Sequence, residues 1–451
     1  MAIKKHPALV VFALLAIWST ASIAQAPLSG EAASAKYDAA FQAMLADPGD
    51  LDKTFAYAEL AVEIGNFEGA ISALERMLLL NPNLPRVRLE LGVLYYRIGS
   101  FDVAAEYFNA VRGAEDAPAP VRARVDEFLK AIETAKSPHS LTVSLTTGMR
   151  YQSNANAASN QPDNIRSPFG VLSLPDNQRA RGDFNGFALA AVNYRYDLQN
   201  QDADALEVGV TLYGTQQMRV TRLNVGLMEM NVGPRFNFPG VTPGLSVRPY
   251  LIANYLMIGG SGYYTTLGGG VSALLPISPQ TQLSAVVETR SKNFYVNAAN
   301  PNQRERDSSD TAFQLGVRHQ LFEQGFIGVD GFYRFELARA QWHSNREFGA
   351  TVSYTHLLDD YLGLTGLPWT AQIAGTRSYT GYNEADPSVV DTSVDGLTRR
   401  DSKWEVGGML LVPVTSWATL QLQIQHQWYK STYTQNQFDN LVGLMAVQVR
   451  F

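Results

Sequence analysis

From about residue 140 to the end of the chain, apolar and polar residues alternate with a period of two, as expected of strands with one greasy and one wet face. The clearest run places Leu420, Leu422, Ile424, His426 and Trp428 on one face and Gln421, Gln423, Gln425, Gln427 and Tyr429 on the other. Leu206, Val208, Val210 and Leu212 alternate with Glu207, Gly209, Thr211 and Tyr213, and Phe313, Leu315 and Val317 with Gln314, Gly316 and Arg318. Faces this polar do not suit a sandwich core. The pattern predicts fourteen strands, near 140–152, 183–198, 204–216, 222–236, 244–257, 263–276, 282–297, 310–321, 326–340, 345–357, 367–380, 401–412, 417–432 and 439–451. At about 22 residues for each strand and its connection, there is more than the roughly 9 to 11 residues that cross a hydrocarbon layer. The expected architecture for 139–451 is an antiparallel transmembrane β-barrel.

Between about 35 and 136 the spacing is helical instead. Gly65 and Gly99, Ala70 and Ala104, Leu74 and Phe108, and Pro48 and Pro82 are each 34 residues apart. The small Ala70 and Ala104 let two helices approach, Leu74 and Phe108 fill the seam, and Gly65 and Gly99 permit the turn before the second helix of each unit, near 66–80 and 100–111. This resembles the tetratricopeptide repeat, whose unit has the same length. A partial unit at 37–45 precedes the two repeats and a closing helix at 121–135 follows them, as a stacked array needs capped ends. An all-α domain over 27–138 is expected. The resemblance implies a groove for a peptide or protein partner, faced by Asp52, Phe55, Glu59, Arg86, Leu89, Val93, Tyr96 and Arg97. A spacer or plug is the other reading open to so short an array.

Residues 1–26 carry Lys4 and Lys5, an apolar run from Ala8 to Trp18, and small residues at Ser22, Ala24 and Ala26. That is the three-part pattern of a secretory signal, cleaved after Ala24 or Ala26. Its apolar run of about 11 residues is short of the roughly 20 that span a bilayer as a helix. Only 17% of the 451 residues are charged while 46% are hydrophobic, which separates the chain from ordinary soluble domains at roughly 25% charged. The absence of Cys removes disulfides, thiolate nucleophiles and Cys-ligated zinc. A net charge of −6 without a basic cluster argues against a nucleic-acid partner.

The connections between the expected strands are unequal. Long ones at 153–182, 298–309 and 381–400 fall on one side, and turns such as Phe238-Pro239-Gly240, Ser278-Pro279-Gln280 and Glu323-Gln324-Gly325 fall on the other. Long outer loops and short periplasmic turns characterise outer-membrane barrels of Gram-negative bacteria. The alternation Val447, Val449, Phe451 resembles the C-terminal signal such barrels present to their assembly machinery. Tyr194, Tyr196, Trp369, Tyr379, Trp404, Trp428 and Tyr433 are candidates for the aromatic girdles where protein meets membrane lipid.

A helical repeat joined to such a barrel through Gly148-Met149-Arg150-Tyr151-Gln152-Ser153-Asn154-Ala155-Asn156 resembles the surface lipoprotein assembly modifier family. Members pair a periplasmic tetratricopeptide domain with a fourteen-stranded barrel that opens with a Tyr-Asp-Ser-Asn-Val-Asn type segment. Tyr151, Ser153, Asn154 and Asn156 match that segment, whereas Gln152 and Ala155 depart from it. The resemblance implies delivery of a lipoprotein or other protein client to the cell surface. A helical domain of about 100 residues is small for client handling, and a tetratricopeptide-barrel porin for exopolysaccharide export is the related alternative.

The sequence holds no H-E-x-x-H, no G-x-S-x-G and no phosphate-cradling glycine loop, and His139, His319, His343, His356 and His426 are scattered. The expectation is a protein that is not an enzyme and uses no cofactor or metal. The wet barrel face does carry charge. Glu288, Arg290 and Lys292 share one face of a strand, Asp330, Arg334 and Glu336 share one face of another, and Arg318 also points to the polar side. Their mixed signs suit either wall-stiffening ion pairs or a selective lumen.

Overall fold

The computed structural model describes residues 31–47, 49–114, 118–297, 301–390 and 396–451, with side chains from residue 36 onward. The expected secretory signal at 1–26 and the repeat position Pro48 lie outside the described residues. The chain forms two compact units that meet in sequence between Ser137 and Pro138.

The first unit is six helices: α1 (Glu31–Ala46), α2 (Leu51–Glu63), α3 (Phe67–Leu80), α4 (Pro85–Arg97), α5 (Phe101–Arg112) and α6 (Ala119–Lys136). Asp50 caps α2 by accepting from the Asp52 and Lys53 amides, and Asn66 caps α3 by accepting from the Gly69 amide. Gly65 and Gly99 adopt φ of 81° and 78°, so each helix pair turns on a residue with no side-chain penalty for that conformation. Ala70, Leu74, Ala104 and Phe108 are all buried in the seams. Gly92 of α4 completes this packing: a Cβ there would lie 2.6 Å from the Phe108 ring. The helices are thus tetratricopeptide-like. Pro82 sits in the exposed connector after α3, and Pro85 is the residue that opens α4.

The second unit is a closed barrel of fourteen antiparallel strands, each bonded to its neighbours in sequence. They are β1 (His139–Gln152), β4 (Asp183–Asp197), β5 (Ala205–Gln217), β6 (Val225–Asn237), β7 (Ser246–Ile258), β8 (Ser261–Ser278), β9 (Thr281–Phe294), β10 (Ser308–Phe322), β11 (Gly325–Ala338), β12 (Asn345–Leu358), β13 (Trp369–Tyr382), β14 (Arg400–Pro413), β15 (Ala418–Ser431) and β16 (Phe438–Arg450). β1 closes the cylinder against β16, in register from Ser144 opposite Arg450 to Gln152 opposite Val442. Beyond that ladder, Phe451 exchanges both backbone hydrogen bonds with Val143. Fourteen strands about 4.8 Å apart and tilted by about 40° wrap a cylinder roughly 28 Å across between backbones.

Among the described residues no helix is long and apolar enough to cross a membrane. The barrel carries the apolar surface instead. Leu251, Leu267, Leu315, Ile373 and Ile424, on five different strands, are 61–69% exposed, and a continuous outward band of this kind is stable in hydrocarbon rather than water. The unit is an outer-membrane-type barrel.

The loops at 153–182, 295–307 and 383–399 leave the same end of the barrel. The first of them contains a two-stranded hairpin that the alternation had not revealed, β2 (Ile165–Ser167) and β3 (Gly170–Leu172). Tyr433 belongs to this end as well, and its expected place in a girdle is corrected: it is 1% exposed. Its hydroxyl accepts from the Asp386 amide and donates to the Leu397 carbonyl. Loop segments thereby form a small core of their own, with Ala158, Ile165, Leu174 and Val390 also buried.

Candidate transport lumen and partner-binding face

The inward positions of the strands gather the charged side chains into clusters. On β9, Arg290 lies between two carboxylates, 2.5 Å from Glu288 and 2.8 Å from Glu229 of β6. Tyr250 of β7 donates its hydroxyl to the second Glu288 oxygen at 2.7 Å. Gly270 of β8 makes room for that ring, since a Cβ would meet the Tyr250 hydroxyl at 2.7 Å.

A second cluster lies nearer the long-loop end. Arg334 forms a two-pronged pair with Asp310, both bonds 2.7 Å, the geometry that suits a planar guanidinium. Lys292 reaches Glu336 at 2.8 Å and Asp310 at 3.5 Å, and Glu347 stands 3.9 Å from Arg334. A third cluster, at the start of β14 and on β15, joins Asp401 to Tyr429, Ser431 and Arg399 of the preceding loop.

Toward the short-turn end the balance of sign reverses. Glu207 collects Arg235 at 2.7 Å, Arg248 at 2.9 Å and Arg195 at 4.0 Å, with Asp197 4.0 Å from Arg195. Guanidiniums outnumber carboxylates here, whereas carboxylates outnumber cations around Arg290 and Arg334.

Glu288, Arg290, Lys292, Arg334 and Glu336 are thus drawn into shared clusters. Arg318 and Asp330 share the inward face of β10 and β11 nearer the short turns, where Gly316 leaves space for the Asp330 carboxylate. Sequence reading passed over Glu229, Tyr250, Asp310, Glu347, Asp401 and the Glu207 cluster as lumen sites. The signal was available, because each lies on the inward parity of its strand.

Of the residues matching the family segment, Ser153 and Asn154 bind β16 across the closing seam, whereas Tyr151 packs on β4 and Asn156 binds the chain just before β4. Tyr151 faces outward against Phe184, with ring centroids 4.9 Å apart. Ser153 accepts from the Leu441 amide. Asn154 is buried; its amide nitrogen donates to Asn440 and its side chain both donates to and accepts from the Ala158 backbone. Asn156 holds the backbone of Arg179 and Arg181 in the same way.

On the helical unit the expected groove residues divide. Leu89, Val93 and Tyr96 are half-buried against the cluster around Phe108, and Tyr96 meets Phe128 of α6 edge-on at 5.5 Å. Part of each of these side chains is thus used in packing α4 against its neighbours, and the remainder stays accessible. Asp52, Glu59, Arg86 and Arg97 are exposed, and Phe55 is half-buried beneath Arg86, whose guanidinium lies 4.5 Å from its ring centroid. Arg86 also comes within 3.8 Å of Glu59. Beside this face, Tyr95 donates to Glu75 at 2.6 Å. That carboxylate, together with burial, pushes the Tyr95 phenol up to about 12. Burial and the bond to Tyr37 push Tyr57 to about 12 as well.

No family model and no curated protein matches the chain. Among solved structures, the helical part is similar to the type III secretion translocator chaperone SycD of Yersinia enterocolitica, at 16% identity over 23% of this chain and 76% of that one, with a TM-score of 0.21. It is also similar to PcrH solved with the chaperone binding region of PopD, at 21% identity over 23% and 84% of the two chains and a TM-score of 0.21. The barrel is similar to a loop-deletion mutant of OmpT, an outer membrane protein of Vibrio cholerae, at 8% identity over 69% and 99% of the two chains and a TM-score of 0.37.

Proposed function

We propose that this protein is a non-enzymatic outer-membrane translocation component. Its helical unit engages a protein client or partner and its barrel gives that client passage to the cell surface, the role that the surface lipoprotein assembly modifier resemblance implies. The observation that carries this reading is the joining, in one chain, of a tetratricopeptide-like unit with an exposed mixed-charge face at Glu59, Arg86 and Arg97 to a closed barrel with a charged interior. β1 starts at the short-turn end of the barrel, the periplasmic end in such proteins, which supports a periplasmic location for the chain preceding it. The client is a surface-destined protein, and a lipoprotein is the first candidate. Deleting residues 27–136 with the signal retained is expected to leave an inserted barrel whose host no longer displays the client. Unchanged display would defeat the reading.

A second reading, a passive porin or exopolysaccharide exit duct, is favoured by the change along the lumen from a guanidinium excess at the short-turn end to a carboxylate excess around Arg290 and Arg334. It requires ion conductance of the purified chain in planar bilayers and no captured protein client.

A further inference from the structure

The outward face of the barrel is almost free of charge, and its exceptions are all in one place. On β1, β4 through β11, every Asp, Glu, Lys and Arg within the strands has inward parity. The five charged residues with outward parity are Arg346 on β12, Arg377 on β13, Arg400 on β14, Lys430 on β15 and Asp439 on β16. These strands are consecutive, and all five residues lie toward the long-loop end. The four cations are exposed. None of them has an ion-pair partner among the described residues, although the lumen cations are held by carboxylates at short range.

The register shows how they are grouped. Gly381 of β13 lies between Arg346 and Arg400, and a Cβ on it would meet nothing within 4 Å, so an open notch separates two guanidiniums whose strands are about 10 Å apart. One step toward the membrane, Tyr379, Ser402 and Lys430 lie side by side. One step further, Arg377 is opposite Trp404, and its guanidinium is 4.2 Å from the Trp404 ring centroid and 4.7 Å from that of Tyr379. A hollow of 620 Å³ opens here, with Tyr379, Arg400, Ser402, Trp428 and Lys430 in its wall. Asp439 also reaches the hollow, and it accepts from the Asn160 amide at 3.2 Å.

Cations on a lipid-facing surface are costly in hydrocarbon and tolerated only near an interface. Four of them clustered around the single carboxylate of Asp439, which forms an ion pair with none of them, and set in an aromatic frame that fixes Arg377 in place, leave a cationic excess that suits anions from the membrane itself. Guanidiniums match phosphate in a forked geometry, and Trp404, Trp428 and Phe348 supply apolar wall on the membrane side for acyl chains.

We propose that this patch is a binding site for a phosphorylated, multiply acylated glycolipid of the outer leaflet. Arg346, Arg400 and Lys430 take its phosphates, Arg377 takes the glycolipid headgroup at the girdle, and the aromatic wall below receives the chains. The site rests on the barrel lying in the outer membrane with its long loops outward, but not on any client or solute passing through it.

Native mass spectrometry of the purified full chain in detergent tests the site directly, with bis-phosphorylated lipid A as probe. The expected result is retention of lipid A and at least tenfold weaker retention of dephosphorylated lipid A, phosphatidylglycerol and inorganic phosphate. The combined substitution Arg377→Gln, Arg400→Gln and Lys430→Gln is expected to abolish the preference, while Arg318→Gln in the lumen preserves it. Equal retention of dephosphorylated lipid A by the unmodified chain overturns the proposal without recourse to a variant. So does unchanged lipid A preference in the triple variant, provided it keeps heat-modifiable migration. Strong retention of inorganic phosphate alone marks an anion site with no lipid role and overturns it too. Loss of client display or conductance leaves these readouts untouched, so failure of the transport reading is distinguishable.

Discussion

The amide nitrogen of Asn154 donates to the side-chain carbonyl of Asn440 at 3.0 Å, across 286 residues of chain. The bond pins the start of the longest loop, 153–182, to the last strand at the point where the cylinder closes. Around it the Asn154 side chain is saturated: Nδ2 donates to the Ala158 carbonyl at 2.8 Å, and Oδ1 accepts from the Ala158 amide at 2.9 Å.

Replacing Asn154 with Ala leaves the Ala158 amide and carbonyl without partners in a buried place. A buried polar group left unpaired costs roughly 1 to 3 kcal/mol, so Asn154→Ala is expected to loosen the 153–182 loop before it unfolds the barrel. Limited proteolysis of intact cells is the measurement: cleavage should appear within 153–182 while the heat-modifiable migration of the barrel persists. Equal protease resistance of variant and unmodified chain would show that the seam does not depend on this side chain.

The barrel was legible because hydrocarbon outside and water inside impose opposite demands on adjacent residues, and no ordinary core does so over fourteen strands. Leu420 through Tyr429 show this directly, with every apolar residue outward and every Gln inward. The β2–β3 hairpin escaped notice because three-residue strands are too short to show a period. Tyr433 read as a girdle residue from its type and nearness to a strand end, but burial by distant loop segments is a tertiary fact with no local signature. Gly92 escaped for the same reason: a glycine inside a helix signals a close approach only once its partner, Phe108, is known. The cationic patch is the instructive case. Arg377 shares outward parity with Ile373 and Tyr379, so the sequence already placed a charge on a greasy face. What it did not show was that Arg346, Arg400 and Lys430 gather beside it on neighbouring strands.

Gly92 offers a sharp test of the helical packing. A Cβ at this position would overlap the Phe108 ring at 2.6 Å, and inserting a methyl group into a well-packed seam costs roughly 1 to 3 kcal/mol. Gly92→Ala should therefore lower the melting temperature of the helical signal at 222 nm, against the usual gain from replacing a helix glycine with alanine. Gly186→Ala on β4, where nothing lies within 4 Å of the new Cβ, should leave both transitions in place.

Alkaline pH should weaken the helical unit through Tyr95. Its phenol is held neutral by the bond to Glu75 and by burial, up to about 12, whereas an unfolded tyrosine ionises near about 10. A folded-state value raised above the unfolded one means the stabilisation is fully present below about pH 10 and is lost as pH rises through about 12. Glu75→Gln removes the carboxylate's opposition to phenolate, so the helical signal of the variant should fall less steeply across that window. Coincident alkaline curves for the variant and the unmodified chain would exclude the pair as the cause.

Arg290 is the most informative lumen position, because it is the cation that separates Glu229 and Glu288 on the inner wall. Without its guanidinium the two carboxylates face the water unpaired, and local potentials of several kT are common in confined charged clefts. If solutes pass through the lumen, Arg290→Ala is expected to raise potassium preference over chloride by roughly twofold or more, a potential effect that weakens as salt screens it. Reversal potentials of the purified chain in a potassium chloride gradient, at low and high ionic strength, provide the measurement. Arg377→Ala, on the outward face, serves as the control and should leave the reversal potential where it was. A conducting Arg290→Ala variant with unaltered selectivity would place the Glu229–Arg290–Glu288 cluster outside the permeation path and assign these ion pairs to stiffening the wall alone.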